Sequence, residues 1–209
     1  MMRVLVVDDH AIVRQGMRRI LSEADVASIG EAATAAEALA LIGAEHWDVV
    51  VLDVGLPDRS GLEALKEIKA THPTLPVLVL TVFGEEPYAA RALKAGAAGF
   101  LTKECLPEDL VSAVRELSQG RRYLNPQLAY KLAFSLGNSP ERVGHEHLSD
   151  REFQVLSMLA SGKRMVDAAS ALGLSIKTVS TYRARILMKI GVRTTADLIQ
   201  YAIRHGLVR

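Results

Sequence analysis

The side chains most suited to chemistry stand where short apolar runs end. Residues 4–7 lead into Asp8 and Asp9, 49–52 into Asp53, 76–80 into Thr81, and 97–102 into Lys103. Three carboxylates brought together repel one another and stay ionised only beside a neutralising cation. The donors are oxygens, which suits Mg²⁺. Lys103 adds a second positive charge and Thr81 a hydroxyl. Such a set fits transfer of a phosphoryl group to a carboxylate, because a divalent ion and an ammonium can mask the phosphoryl charge from two sides while a hydroxyl steadies another oxygen. A nucleotide site would instead need a glycine-rich turn after the first strand. Asp8, Asp9 and His10 occupy that turn, and the acids would repel a pyrophosphate. His10, His46 and His72 are read as surface or loop residues, since oxygen ligands serve a hard ion better.

To converge, these residues need a sheet. Val49, Val50, Val51 and Leu52 form an unbroken apolar run rich in β-branched residues, as in a strand buried on both faces. Similar runs predict strands over 3–7, 26–32, 48–53, 76–81 and 97–101. Helical periodicity predicts helices near 11–24, 35–45, 61–71, 85–95 and 107–119. Ser60 with Glu63 fits a capping box, and Pro107 with Glu108 and Asp109 suits a first helical turn. Five β/α repeats predict a doubly wound, five-stranded parallel sheet whose carboxyl edge carries the acids.

The net charge of +1 hides a division: residues 1–120 hold 11 Lys/Arg against 18 Asp/Glu, and residues 121–209 hold 14 against 6. An acidic half is joined to a basic one, so a polyanion would meet only the second. No apolar run approaches the roughly 18 residues of a membrane span, and no signal-peptide pattern opens the chain, which points to a cytoplasmic protein. The lone Cys105 agrees with a reducing compartment.

Residues 121–145 read as a linker with a short helix. Leu128, Leu132 and Phe134 suggest docking on a neighbour, before the turn formers at 137–140. In the basic half, Ser149 and Glu152 form a capping box, with Leu148 placed to staple onto Phe153. Then Ala169 is small where two helices would cross, Gly173 allows a left-handed turn, Ser175 caps the next helix, and Val179 plugs the pair. That spacing is a helix-turn-helix pattern. Val179, Ile186 and Ile190 share one face of the second helix, while Lys177, Ser180, Thr181, Ala184 and Arg185 share the other. Small and hydroxylic residues between cations permit approach to base edges while cations hold phosphates. Lys163, Arg164, Lys189 and Arg193 would extend the backbone grip.

With these residues in view, 3–119 resembles the receiver domain of bacterial two-component response regulators. The resemblance implies Asp53 as phosphoacceptor, with Mg²⁺ held by Asp8, Asp9, Asp53 and the Gly55 backbone carbonyl. It also implies Thr81 and Lys103 as phosphate-sensing partners and Phe100 as a switch aromatic. Residues 146–209 resemble the four-helix DNA-binding domain of the LuxR/NarL type, through Leu148-Ser149, Arg151-Glu152 and the run Thr178 to Tyr182. Together they resemble a NarL/FixJ-type response regulator: a receiver over 1–120, a linker over 121–145 and a helix-turn-helix domain over 146–209. That likeness implies a sensor histidine kinase as partner, dimeric binding to double-stranded promoter DNA, RNA polymerase as a further partner, and a dimer seam on the last helix through residues such as Leu198 and Tyr201. Three departures are Val82, where a small residue is common, the run Lys163 to Ala168, where the family usually has a polar stretch with Asn and Glu, and Tyr182, where His is frequent. The alternatives are a DNA-binding regulator with a passive receiver and a Mg²⁺-dependent phosphohydrolase. The second would want an acid two residues after Asp53, where Gly55 stands.

Overall fold

In the computed structural model the described residues are 2–24, 26–82, 85–137 and 144–208. The side chains of 85, 86 and 134–137, and with them the docking expectation for Phe134, lie outside the description, as do residues 138–140 of the predicted turn cluster. The chain divides into two compact units, Met1–Tyr130 and Lys131–Arg209.

The first unit alternates strand and helix: β1 (Met2–Val7), α1 (Ala11–Ser22), β2 (Val26–Ala32), α2 (Ala35–Ala44), β3 (Val49–Leu52), α3 (Gly61–Thr71), β4 (Val77–Thr81), α4 (Glu85–Lys94), β5 (Gly99–Thr102) and α5 (Pro107–Ser118). All ten predicted elements are present. The strands pair in parallel in the order β2-β1-β3-β4-β5-β6, where β6 is Tyr123–Leu124. The sheet therefore has six strands, not five. Without β6 the main-chain groups of β5 would form an open edge. Tyr123 N–H donates to Ala98 O at 3.1 Å, and Gly99 has no side chain to block it: a Cβ there would lie 2.9 Å from Tyr123 O.

Alternate residues of each strand face opposite sides of the sheet. Val4, Val6, Val49, Val51, Leu78 and Leu80 pack with Met17 and Leu21 of α1 and Leu110, Val114 and Leu117 of α5. Leu5, Val50, Leu52 and Val79, on the alternate positions, are also fully buried. Both faces are thus covered, as the apolar runs required. Between β1 and β3 the strand order reverses, which opens a crevice at the carboxyl ends of these strands.

Helix α6 (Pro126–Gly137) leads into the second unit, which continues with a 3₁₀ turn (Gly144–His147), α7 (Asp150–Ala160), α8 (Met165–Ala171), α9 (Ile176–Ile190) and α10 (Thr195–Arg204). The predicted capping box is formed: Ser149 Oγ accepts from Glu152 N–H at 3.2 Å, and a Glu152 carboxylate oxygen accepts from Ser149 N–H at 2.8 Å. Ser60, by contrast, accepts from Leu62 N–H, a simple cap without the reciprocal bond from Glu63. Gly173 takes φ +62°, so the turn between α8 and α9 uses the left-handed conformation that glycine adopts without strain. No helix among the described residues is long and apolar enough to cross a membrane.

Candidate metal centre and nucleic-acid interface

The crevice between β1 and β3 holds the predicted acids. Main-chain bonds fix them in place: Asp8 N–H donates to Ala32 O at 3.1 Å, and Asp53 N–H to Val7 O at 2.9 Å, each extending a strand ladder by one step. Asp8 is fully buried and Asp53 nearly so. Lys103 reaches both from the end of β5, its Nζ 2.5 Å from Asp8 Oδ2 and 2.8 Å from Asp53 Oδ2. Its own backbone N–H donates to Thr81 O at 2.9 Å, which ties the ends of β4 and β5 together. Thr81 is buried at that edge, Val82 beside it is exposed, and Phe100 is buried within β5. The sheet thus brings Asp8, Asp53, Thr81 and Lys103 to one edge.

Burial pushes the Asp53 carboxyl above its ordinary value; the Lys103 ammonium pulls the other way, and the Asp8 carboxylate adds to the push. The Gly55 amide, two residues on, favours the ionised form. Burial alone would lower Lys103, but the carboxylates of Asp53 and Asp8 outweigh it and raise the ammonium above its usual value. Asp53 Oδ1 is buried without a hydrogen bond among the described residues. Asp8, Asp9, His10 and Asp53 each offer a ligand atom, and the four atoms lie within 4.8 Å of one another. A cluster of buried oxygens with an unsatisfied member fits a hard divalent ion.

Two positioning residues went unnoticed in the sequence. Gly61, the first residue of α3, donates to Val54 O at 2.9 Å, and a Cβ on it would lie 2.0 Å from Asp53 O. Only glycine lets α3 start this close to the backbone of Asp53. Asp58 accepts from the N–H groups of Ala35 and Ala36, each at 3.0 Å, so the loop after β3 is pinned to the start of α2. A glycine directly after the Ser60 cap was the one sequence signal for the first; nothing local signalled the second. Cys105 is half-buried and its thiol is pushed up, by burial first and by Asp109 second, which leaves it a poor nucleophile.

In the second unit, Val179, Ile186 and Leu187 are buried and Ile190 partly so. Lys177, Ser180, Thr181, Ala184 and Arg185 all lie exposed on α9. The Thr181 hydroxyl donates back to Lys177 O at 3.0 Å. The Lys189 ammonium pairs with a Glu152 carboxylate oxygen at 2.6 Å, because the capping box places that carboxylate at the start of α7. Arg164 is likewise paired, with Asp167. Leu198 is fully buried, so it belongs to the unit's own core and not to a surface seam. Tyr201 Oη meets the His145 ring at 2.9 Å. Arg183, unremarked in the sequence, donates to Thr195 Oγ1 at 2.7 Å and fastens α9 to α10.

Residues 4–115 match the response regulator receiver domain family, and residues 146–202 match the bacterial regulatory proteins of the luxR family. The chain is 39% identical over 214 residues to the response regulator GacA of Pseudomonas viridiflava, covering all of this chain and 98% of that one. It is 38% identical over 210 residues to the response regulator UvrY of Escherichia coli O6:H1, covering 99% and 96%. Among solved structures it is similar to RcsB of Salmonella enterica serovar Typhimurium bound to promoter rprA in the presence of phosphomimetic BeF3⁻, with TM-score 0.64 and 29% identity over 96% of this chain and 98% of that one.

Proposed function

The chain belongs to the two-component response regulators that join a receiver domain to a LuxR-type helix-turn-helix, and from that membership we propose which residues carry its phosphorylation and its DNA contacts. It is a DNA-binding response regulator, a member of a family of transcription regulators. Asp53 accepts the phosphoryl group from a sensor histidine kinase: an Asp53 oxygen forms a bond to phosphorus as the bond from phosphorus to the kinase's imidazole nitrogen breaks. Asp8, Asp9, Asp53 and the Gly55 carbonyl would hold Mg²⁺, which would supply charge neutralisation for the entering phosphoryl oxygens. Lys103 already spans Asp8 and Asp53, so it can follow the new charge without crossing the site. Thr81, at the edge of β4, binds a further phosphoryl oxygen, and Phe100 responds within the same layer.

On the output side, Lys177 and Arg185 meet phosphates or bases, and Ser180, Thr181 and Ala184 allow close approach to the major groove. The protein binds paired half-sites of promoter DNA as a dimer, as the solved RcsB complexes with DNA support, and acts in the cytoplasm. RNA polymerase is its further partner at the promoter. The domains are the receiver (1–120), a connector (121–145) and the DNA-binding domain (146–209).

The observation that carries this reading is the Lys103 ammonium bridging two buried carboxylates at the sheet's switch point. Incubating the chain with acetyl phosphate and Mg²⁺ adds the mass of one phosphoryl group, and Asp53→Asn does not gain it. An equal gain in the variant would refute the assignment. Operator affinity that ignores phosphorylation would instead support a passive receiver.

A further inference from the structure

His10 stands at the N-cap of α1, a position that usually belongs to Ser, Thr, Asp or Asn because their oxygens accept from the helix amides. Here the side chain makes no capping bond. Instead the ring turns toward the acids, its Nδ1 2.6 Å from Asp9 Oδ1 and 3.3 Å from Asp8 Oδ1. Its backbone amide donates to Asp8 Oδ1 at 2.9 Å, which fixes where the ring starts. The ring nitrogen is one of four ligand atoms, with oxygens of Asp8, Asp9 and Asp53, that all lie within 4.8 Å of one another. Opposite ligands of an octahedral ion with bonds of about 2.1 Å are about 4.2 Å apart. Adjacent ligands of such an ion are about 3.0 Å apart, so the His10–Asp9 pair has to part slightly from 2.6 Å and the widest pair has to close from at most 4.8 Å for the four atoms to share one ion. The ring is largely exposed, so it can replace a water on the open side of such an ion without unpacking the core.

We propose that His10 is a nitrogen ligand of the receiver's divalent ion and biases the pocket from Mg²⁺ toward Mn²⁺ and other first-row transition ions. This rests on reading the acid pocket as the divalent-ion site. Imidazole is a weak partner for hard Mg²⁺, whereas affinity for nitrogen donors rises along the transition series. One nitrogen among oxygens therefore changes the ratio of affinities more than either affinity's presence. Alone, His10 is a poor donor for a hard ion; beside the oxygens of Asp8, Asp9 and Asp53 it adds one nitrogen to their set.

The test uses the full chain, with Mn²⁺ and Mg²⁺ as probes. Pulsed EPR of bound Mn²⁺ is expected to show coupling to an imidazole nitrogen, absent in His10→Ala and in His10→Asn; the second variant keeps a good N-cap. Calorimetry is expected to show Mn²⁺ affinity falling about tenfold in His10→Ala, while Mg²⁺ affinity changes by less than about twofold. Bound Mn²⁺ without nitrogen coupling, and with the same affinity in His10→Ala, would overturn the role of His10 while leaving the acid pocket as the metal site. Failure of the wild-type chain to take up either ion would overturn both readings.

Discussion

The acid pocket and the exposed face of α9 are built on opposite terms. In the pocket, Asp8 and Asp53 are buried, their backbone amides extend strand ladders, and one ammonium answers two carboxylates. On α9, Lys177, Ser180 and Arg185 project from a helix whose opposite face is anchored by Val179 and Ile186. A buried charge cluster is coupled to the fold, because removing one member strands the others in a poor dielectric. An exposed face is not. Pocket substitutions should therefore alter stability and chemistry together, and α9 substitutions should alter binding alone.

The sharpest way to break that contrast is Lys103→Met. It leaves Asp8 and Asp53 buried without their counter-charge, and the cost expected in denaturant unfolding without divalent ions is about 3 kcal/mol. Added Mg²⁺ should recover part of this loss. If the variant is as stable as wild type without metal, the pocket is not coupled to the fold as described. Next comes Gly61→Ala, whose methyl must displace the backbone of Asp53. A loss of about 2 kcal/mol is expected, with slower phosphorylation by acetyl phosphate. Normal phosphorylation kinetics would show that the loop accommodates the methyl elsewhere.

On α9, Arg185→Ala is expected to weaken promoter binding about tenfold and to lower the slope of affinity against salt by about one ion, with unfolding unchanged within about 0.5 kcal/mol. A fall in melting temperature instead would place Arg185 among the packing residues. The smallest effect joins the two regimes. Burial alone would raise Glu152, but Lys189 and the Ser149 amide outweigh it and hold the carboxyl below its ordinary value. A depressed folded-state pKa stabilises the fold at pH above the unfolded value, and that support is lost as pH falls through the folded value. Glu152→Gln should then flatten the acid side of the second unit's stability curve and cost about 1 kcal/mol at neutral pH. An unchanged acid limb would show that the Lys189 pair does not act in solution.

Asp53 announced itself because an acid at the end of a doubly buried strand breaks an apolar pattern, and Asp8 with Asp9 did so for the same reason. The ten β/α elements of the first unit were legible through the two periodicities, 2.0 and 3.6, that sheets and helices impose. The helix-turn-helix was legible at Gly173, Ser175 and Val179, where backbone or packing admits few residue types. Strand β6 was not, since two residues carry no periodicity and their pairing depends on the open backbone at Gly99. The Lys189–Glu152 pair and the burial of Leu198 were not legible, because helical spacing gives a face but not what stands opposite it.

By itself, then, the order of residues determined the alternation of elements, the charge division between the halves and the set of acids at the strand ends, all of which follow from local propensity and pattern. Only the tertiary structure decided that Lys103 bridges Asp8 and Asp53, that Gly61 must be bare beneath Asp53, and that the His10 ring turns from capping toward the acids. Those are contacts across 1 to 95 residues of chain, from His10 and Asp9 to Lys103 and Asp8. The longer ones are fixed by strand order and register, which no single stretch of sequence contains.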